Sequence, residues 1–165
     1  MTQVQPAREQ DAEVLAALER ATWTTTTSPA PVPVPVPVLE RPSFGPDQHP
    51  ADVLVAEQDG LAVDSVRLAQ ALEVPSHAHV LEVQGLAVAP AAQGRGTGRL
   101  LLEAAVRLAR ERGARKLSLR VLGHNAPARR LDEACGFVVE GVLREEFLLD
   151  GEPVDDVLMA RHRSP

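Results

Sequence analysis

The feature that most constrains this chain is a glycine-rich hexapeptide, QGRGTG at residues 93–98, between a predicted strand and a predicted helix. Its three glycines alternate, so no Cβ atom hinders a ligand that lies over the turn. The first amides of a helix lack partners within the helix and carry the positive end of its dipole, so a phosphate can accept several N–H bonds there. The segment therefore predicts a pyrophosphate-binding loop.

The spacing of this loop excludes two other phosphate-binding motifs. A Walker loop ends in Gly-Lys-Ser/Thr, whereas Gly98 is followed by Arg99 and Leu100. A dinucleotide fingerprint has its third glycine where Arg99 stands and lies in the first strand-helix unit of a parallel sheet. A tight turn without a ligand is the remaining alternative, although a mere turn does not need three glycines and the backbone entropy that they lose on folding.

Hydrophobic periodicity predicts a mixed chain of strands and helices without an internal repeat. Alternation predicts strands at 4–7, 52–57, 61–68, 79–88, 116–121, 137–142, 146–149 and 154–161. Helical spacing predicts helices at 11–21 and 98–112 and a short one after Asn125. Asp59-Gly60 and Asp150-Gly151 are typical of hairpin turns. The 165 residues, 1–165, are expected to form a single α/β domain.

A proline-rich segment at about 24–50 interrupts this pattern. It contains a threonine run and alternating Val-Pro pairs from 32 to 38. Because proline has no backbone N–H for a strand ladder, the valines do not make this segment a strand. A polyproline-like or irregular loop is expected.

Composition argues against several classes of protein. No apolar run approaches the roughly 20 residues of a membrane-spanning helix, and no secretory signal begins the sequence, so a cytoplasmic protein without a membrane partner is expected. Cys135 is the single cysteine, which excludes an internal disulfide and, without a Cys/His cluster, makes a metal site unexpected. The net charge of -6 and the dispersed arginines argue against a nucleic-acid partner.

Residues 88–98 (VAPAAQGRGTG) resemble the acetyl-CoA-binding motif of the GNAT superfamily of N-acetyltransferases. Residues 125–137 (NAPARRLDEACGF) resemble the second CoA-contacting segment of that family. The resemblance is strong from about 82 to 137. It implies an α/β (α+β) fold with a mixed, mostly antiparallel sheet flanked by helices, whose strands at 79–88 and 116–121 part to admit a thioester.

The resemblance also implies the activity and the cofactor contacts. It implies acetyl transfer from acetyl-CoA, the co-substrate, to a primary amine of a small molecule or peptide within a ternary complex, and a possible homodimer. The family's pantetheine contacts fall on the backbone of Leu86, Ala87 and Val88, and Asn125 contacts the CoA arm near the sulfur. The pyrophosphate contacts fall on the amides of Gln93, Gly94, Arg95, Gly96, Thr97, Gly98 and Arg99.

Glu82 is the candidate general base. An alkylamine with a pKa of about 10.4 is scarcely neutral at pH 7, so a base assists its attack. Glu82 lies six residues before Val88, and in a regular strand the two share a face with Gln84 and Leu86. Some family members have a carboxylate at this spacing. A solvated or ion-paired strand glutamate is the alternative.

Asp132 occupies the position where the family motif usually has a tyrosine that protonates the departing CoA thiolate. The sequence contains no tyrosine, so no other residue supplies a phenol. An ionised aspartate would repel the thiolate, and only a protonated Asp132 or a relayed water can donate a proton. An exposed helix residue without a catalytic role is the alternative.

Other candidates have mainly structural interpretations. His77, His79 and His124 are expected to be structural, and Cys135 is expected to be a small buried residue because no histidine is paired with it. Asp64-Ser65 stands where related chains often have small and aromatic residues. In the family, loops at the place of the proline-rich segment cover the acceptor side, so that segment is expected to be either an acceptor-site lid or a disordered insertion.

The last predicted hairpin is acidic, which either attracts a cationic amine or makes a solvated face. Its carboxylates are Glu145, Glu146, Asp150, Glu152, Asp155 and Asp156. Two further functions stay open at this point: a CoA-binding regulatory or catalytically impaired domain, and a nucleotide-binding module.

Overall fold

A computed structural model describes residues 2–29, 44 and 49–163. These residues form seven strands and three α-helices. In chain order they are β1 (Gln3–Pro6), α1 (Ala12–Thr22), β2 (Val53–Gln58), β3 (Leu61–Ala69), β4 (Val80–Val88), α2 (Thr97–Glu111), β5 (Lys116–Leu122), α3 (Ala126–Ala134), β6 (Val138–Leu149) and β7 (Glu152–His162). The proline-rich segment predicted at 24–50 lies largely outside the described residues. No described helix is both long and apolar enough to cross a bilayer.

The strands form one sheet in the order β1-β2-β3-β4-β5-β7-β6. Every neighbouring pair is antiparallel except β4 and β5, which are parallel. The predicted mixed, mostly antiparallel α/β fold is therefore confirmed. Asp59-Gly60 and Asp150-Gly151 connect hairpins, as the sequence predicted.

The prediction of two short strands at 137–142 and 146–149 was wrong, because β6 runs unbroken from Val138 to Leu149. Its register against β7 shifts between Val139 and Gly141 and again between Leu143 and Phe147. At the second shift, Glu145 has a φ of 53° and its N–H donates to Oδ1 of Asp155 at 2.8 Å. The polar stretch that looked like a break is a bulge within one strand.

Each face of the sheet has its own hydrophobic core. The larger core lies on the face covered by α2 and α3, where Leu101, Leu102 and Ala105 of α2 pack against β3, β5 and β7. The smaller core lies on the face covered by α1, where Leu15 and Leu18 pack against β2 and Ala87 of β4. These two surfaces are called the α2 face and the α1 face.

A bulge in β4 changes which side chains share a face. Val83 pairs with Leu68 and Leu86 pairs with Val66, so β4 has one more residue than β3 between these pairs. Gly85 absorbs the bulge with a φ of 89°. Because Val83 and Leu86 both pack against the larger core, the alternation reverses at the bulge.

The prediction that Glu82 shares a face with Leu86 and Val88 was therefore wrong. That prediction assumed a regular strand. Glu82 lies between Leu81 and Val83, both of which pack on the α2 face, so its side chain is directed to the α1 face.

Candidate functional site

The strands β4 and β5 part after three residue pairs. Their pairing joins Val80 to Lys116, Leu81 to Leu117 and Glu82 to Ser118, and it does not extend further. Among the described residues, the backbone of Leu86, Ala87 and Val88 is paired on one edge only, with β3. The opening between the strands is the one that the resemblance implied, and it leaves the other edge of β4 free to bind an extended ligand.

The glycine loop lies at the end of the sheet where these strands part. A short turn at Pro90–Ala92 follows β4, and α2 begins at Thr97. Gly94 and Gly96 have φ values of 75° and 79°, a left-handed conformation that residues with a Cβ rarely adopt. The oxygen of Ala92 accepts a hydrogen bond from Oγ1 of buried Thr97 at 3.3 Å, which fastens the loop to the first turn of α2.

The third glycine is needed for space. A Cβ on Gly98 would lie 3.3 Å from Cδ2 of Leu131 and 3.4 Å from Cγ2 of Val88. Close packing thus holds the start of α2 against β4 and α3. No side chain caps α2 at Gly96, so the amides of its first turn are available to an anion.

The charged side chains of the loop lie at its surface. The guanidinium Nε of Arg99 donates to Oε1 of Glu103 at 2.9 Å, and Arg95 is exposed. Nε2 of Gln93 donates to the oxygen of Val88 at 3.4 Å. Both arginine side chains are therefore exposed to solvent.

Asn125 lies just beyond the end of β5, at the same end of the sheet as the glycine loop. Its Oδ1 accepts a hydrogen bond from the N–H of Ala128 at 3.3 Å and so caps α3. The neighbouring His124 pairs through Nε2 with the oxygen of Thr25 at 3.0 Å, which supports its structural interpretation. The cap fixes the direction in which α3 leaves the open end of β4 and β5.

Glu82 lies at the last pair between β4 and β5, beside a cluster of charges on the α1 face. Its Oε1 accepts a 3.4 Å hydrogen bond from Nε2 of Gln84. Arg120 is on the same face of β5, and its Nε donates to Oδ2 of Asp156 at 2.7 Å. The hydrogen bond to Asp156 raises the pKa of Arg120, and the charges of Glu82 and Glu146 act in the same direction.

Arg120 was not among the candidates predicted from the sequence, although the strand pattern contains a signal for it. Leu117, Leu119 and Val121 alternate into the larger core, so Arg120 had to lie on the opposite face together with Ser118. Asp156 is only 2% exposed and is paired with Arg120. The acidic hairpin is therefore not uniformly solvated.

Comparison with known proteins identifies the family. The sequence model of the acetyltransferase (GNAT) family matches residues 15–137, which are most of the chain and include β4, the glycine loop and α3. This chain belongs to the acetyltransferase (GNAT) family.

Individual relatives agree with this placement. A mycothiol acetyltransferase of Beutenbergia cavernae is 47% identical over 66 residues, a match that covers 40% of this chain and only 22% of that protein. A GCN5-related N-acetyltransferase of Kribbella flavida has a TM-score of 0.77 at 25% identity, over 98% of each chain. The protein yncA of Salmonella typhimurium, solved with its cofactor acetyl-CoA, has the same fold with a TM-score of 0.79 at 21% identity, over 100% of this chain and 98% of that one.

In this GNAT chain, Asp132 is buried rather than exposed. It is 5% exposed and lies in α3, and within the described ranges no donor forms a hydrogen bond to its carboxyl group. Burial raises the pKa of Asp132 to about 7, and the neighbouring charge of Glu133 adds to the shift. The alternative of an exposed helix residue is therefore wrong. A large share of Asp132 is protonated at neutral pH.

A second buried carboxyl was not recognised as such from the sequence. Asp64 of β3 is 0% exposed. It precedes Val66 and Leu68 by two and four residues, so the alternation that buries those residues on the α2 face also buries Asp64. Burial raises the pKa of Asp64 to about 8.

The remaining candidates are two histidines and the single cysteine. The rings of His77 and His79 are 6.4 Å apart just before β4, and neither forms a hydrogen bond to Glu82 in the region that the structure describes. Cys135 is 3% exposed and burial raises the pKa of its thiol, so it is a poor nucleophile. Within residues 2–29, 44 and 49–163, no three His, Cys, Asp or Glu side chains are grouped as metal ligands.

Proposed function

We propose that this chain is an acetyl-CoA-dependent N-acetyltransferase that transfers the acetyl group directly to a primary amine of a small molecule or peptide. The observation that carries this proposal is the uncapped start of α2, held by the glycine loop beside the opening between β4 and β5. An anionic group with a long extended arm fits such a site. The family match supports acetyl transfer as the chemistry.

The described residues suit acetyl-CoA as a substrate. The free edge of β4 at Leu86, Ala87 and Val88 can pair with the amides of the pantetheine arm. The pyrophosphate can accept hydrogen bonds from the amides between Gln93 and Arg99, where charged acceptors gain about 1.5–3 kcal/mol per bond. Asn125 lies where the arm would reach the opening. The thioester supplies an activated carbonyl carbon for the amine.

Glu82 is proposed as the base, directly or through a water. Its side chain is directed to the α1 face, opposite the face of Leu86 and Val88, so the amine would approach from the α1 face. The carboxylates of Asp156 and Glu146 add negative charge near Arg120 on that side of the chain. A cationic amine is attracted there before it loses its proton to Glu82.

Asp132 is proposed as the acid that protonates the thiolate. Its pKa of about 7 supports the protonated form that the chemistry needs. A carboxyl is shorter than the phenol usual in the family, so a water can relay the proton. Because the reaction needs neutral amine and protonated Asp132, the rate should rise with pH as the amine deprotonates and fall as Asp132 ionises.

The test is acetyl-CoA-dependent thiol release with a panel of primary amines and peptides. Asp132→Asn keeps the shape but has no acidic proton, so kcat should fall by about 100-fold while acetyl-CoA affinity changes little. Glu133→Gln, the adjacent change on α3, is the matched control and should retain activity. Asp132→Tyr should raise turnover more than acetyl-CoA affinity, and equal or lower turnover would show that this position is not the acid.

The role of Glu82 needs its own measurement. If Glu82 is the base, Glu82→Gln should remove the part of the rise in rate with pH that comes from ionisation of the base. An unchanged pH-rate profile would exclude Glu82 as the base. If acetyl-CoA binds but no amine in the panel is acetylated, the chain is instead a CoA-binding domain without turnover. Equal competition by ATP or NAD would favour a general nucleotide-binding module.

A further inference from the structure

The carboxyl group of Asp64 has no partner in a fully buried position. Asp64 pairs with Val88 across β3 and β4, and it is 0% exposed. Neither carboxyl oxygen forms a hydrogen bond with any residue in the described part of the chain. A buried, unpartnered carboxylate is costly, so such a group calls for a physical explanation.

Asp64 lies directly beneath the start of α2. A Cβ on Gly98 would be 3.9 Å from Oδ2 of Asp64, in the same small space that Val88 and Leu131 border. The N–H of Ala89 donates to the oxygen of Val63 at 3.0 Å, so β3 accompanies β4 up to the beginning of the glycine loop. The carboxyl group is therefore next to the uncapped amides that form the proposed pyrophosphate site.

Among the residues that the structure describes, no cation holds Asp64 in its ionised form. The charged groups on the surrounding elements are Arg67 of β3, Glu57 of β2, Glu82 of β4, Arg95 of the loop, Arg99 and Glu103 of the first turns of α2, and Arg129, Arg130, Asp132 and Glu133 of α3. None of them shifts the pKa of Asp64. Burial raises this pKa, and the amide of Ser65 opposes the rise without reaching the geometry of a hydrogen bond.

We propose that Asp64 is a proton-coupled positioning residue of the glycine loop: its neutral carboxyl packs beneath bound pyrophosphate, whereas its carboxylate opposes pyrophosphate binding. The inference rests on the proposed acetyl-CoA site. Two anions at one helix start repel each other strongly where water is excluded. When acetyl-CoA binds to protein with ionised Asp64, one proton is therefore taken up from solvent by its carboxylate.

The experiment is calorimetric titration of the full chain with acetyl-CoA between pH 7 and 9, in pairs of buffers with different ionisation enthalpies. Wild type should take up a growing fraction of one proton as pH rises, and the Kd should weaken toward tenfold per pH unit at the alkaline end. Asp64→Asn, whose amide stays neutral, should remove the part of the uptake that belongs to Asp64. Asp59→Asn, which makes the same change at an exposed turn, is the matched control and should keep both the proton uptake and the pH dependence of binding.

A second measurement covers the case in which Asp64→Asn does not fold. The carboxyl ¹³C resonance of Asp64 in wild type should titrate at higher pH with acetyl-CoA than without it. Acetyl-CoA binding with no proton uptake and an unmoved Asp64 titration would overturn the inference while the cofactor site stands. Absence of acetyl-CoA binding at every pH would instead overturn the proposed function, and this inference with it.

Discussion

Two sets of carboxyl groups in this molecule have opposite environments. Asp64 lies beneath the start of α2 and Asp132 lies in α3, and among the described residues burial, with no cation to oppose it, raises their pKa values to about 8 and about 7. On the other side, Asp156 is just as buried but is paired with Arg120. Glu140 accepts hydrogen bonds from Lys116 and His162, which lower its pKa. Burial therefore does not decide by itself whether a carboxyl is charged, because an adjacent cation can hold it ionised.

This division suits the proposed reaction. An anionic pyrophosphate would bind beside the neutral carboxyl group of Asp64, which does not repel it. A cationic amine would approach the α1 face, where Glu82 lies near the pair of Arg120 and Asp156. The proposed site for the anion and the proposed approach of the cation thus lie on opposite faces of the sheet.

The largest effect on stability should come from removing the cation beside Asp156, so that its carboxyl group is buried without a partner, as that of Asp64 is. Arg120→Met removes the cation and leaves Asp156 buried and unpaired, which should cost about 2–4 kcal/mol of unfolding free energy, less than a fully buried pair because Arg120 is half exposed. Urea unfolding of the variant and of wild type at neutral pH measures the loss.

A matched control for this change is Arg107→Met, which removes an exposed arginine without an ion pair among the described residues. It should change stability little. If Arg120→Met behaved like Arg107→Met, the pairing with Arg120 would not stabilise the buried Asp156, and the contrast between the two sets would fail.

The next effect concerns Asp64 and the stability of the protein. In the folded protein the pKa of Asp64 is about 8, above the usual aspartate value. As pH rises, the carboxyl group therefore loses its proton in the unfolded chain at a lower pH than in the folded protein. Stability from the neutral group is complete below about pH 4 and is lost as pH rises toward 8. The unfolding free energy of Asp64→Asn, relative to that of wild type, should therefore rise by about 2 kcal/mol between pH 5 and pH 7, because wild type loses at most about 1.4 kcal/mol per pH unit.

Thermal or urea unfolding across this pH range tests the Asp64 change. Asp59→Asn is a suitable control, because Asp59 is an exposed turn residue with a φ of 52° that asparagine also tolerates. A difference between Asp64→Asn and wild type that stayed constant with pH would mean that Asp64 is ionised in the folded protein.

The local parts of the fold were predictable from the sequence. The stripe of Leu101, Leu102 and Ala105 predicted the buried face of α2, and the glycine spacing predicted the turn before it. Gly94 and Gly96 do adopt left-handed conformations there. These features depend on neighbours within a few residues, so composition and spacing carry the information.

The placement of the site residues depended on long-range pairing. The bulge at Gly85 reverses which side chains of β4 lie on each face of the sheet. The sequence of β4 alone does not show that this strand has one residue more than β3 at that point. The burial of Asp132 depends on how α3 packs on the sheet. The pairing of Asp156 depends on Arg120, which is 36 residues away in the chain.

The smallest effect concerns the exposed ion pair on the loop side of the molecule. Arg99 donates to Glu103 at 2.9 Å, and both side chains are largely open to solvent, so the pair should add little to stability. If Arg99 also attracts the pyrophosphate, Glu103 competes for it. Glu103→Gln should then tighten acetyl-CoA binding roughly twofold at low salt, and the gain should vanish at high salt.

Glu133→Gln is the matched control, because Glu133 lies 3.9 Å from Arg129 at the same i,i+4 spacing on α3. Both variants add one unit to the net charge, so a general charge effect would tighten binding equally in the two. A tighter Kd for Glu103→Gln alone would place Arg99 among the phosphate contacts. If the two variants had equal Kd values, the backbone amides of α2 would be the source of the affinity for acetyl-CoA, and Arg99 would not be a contact of the pyrophosphate.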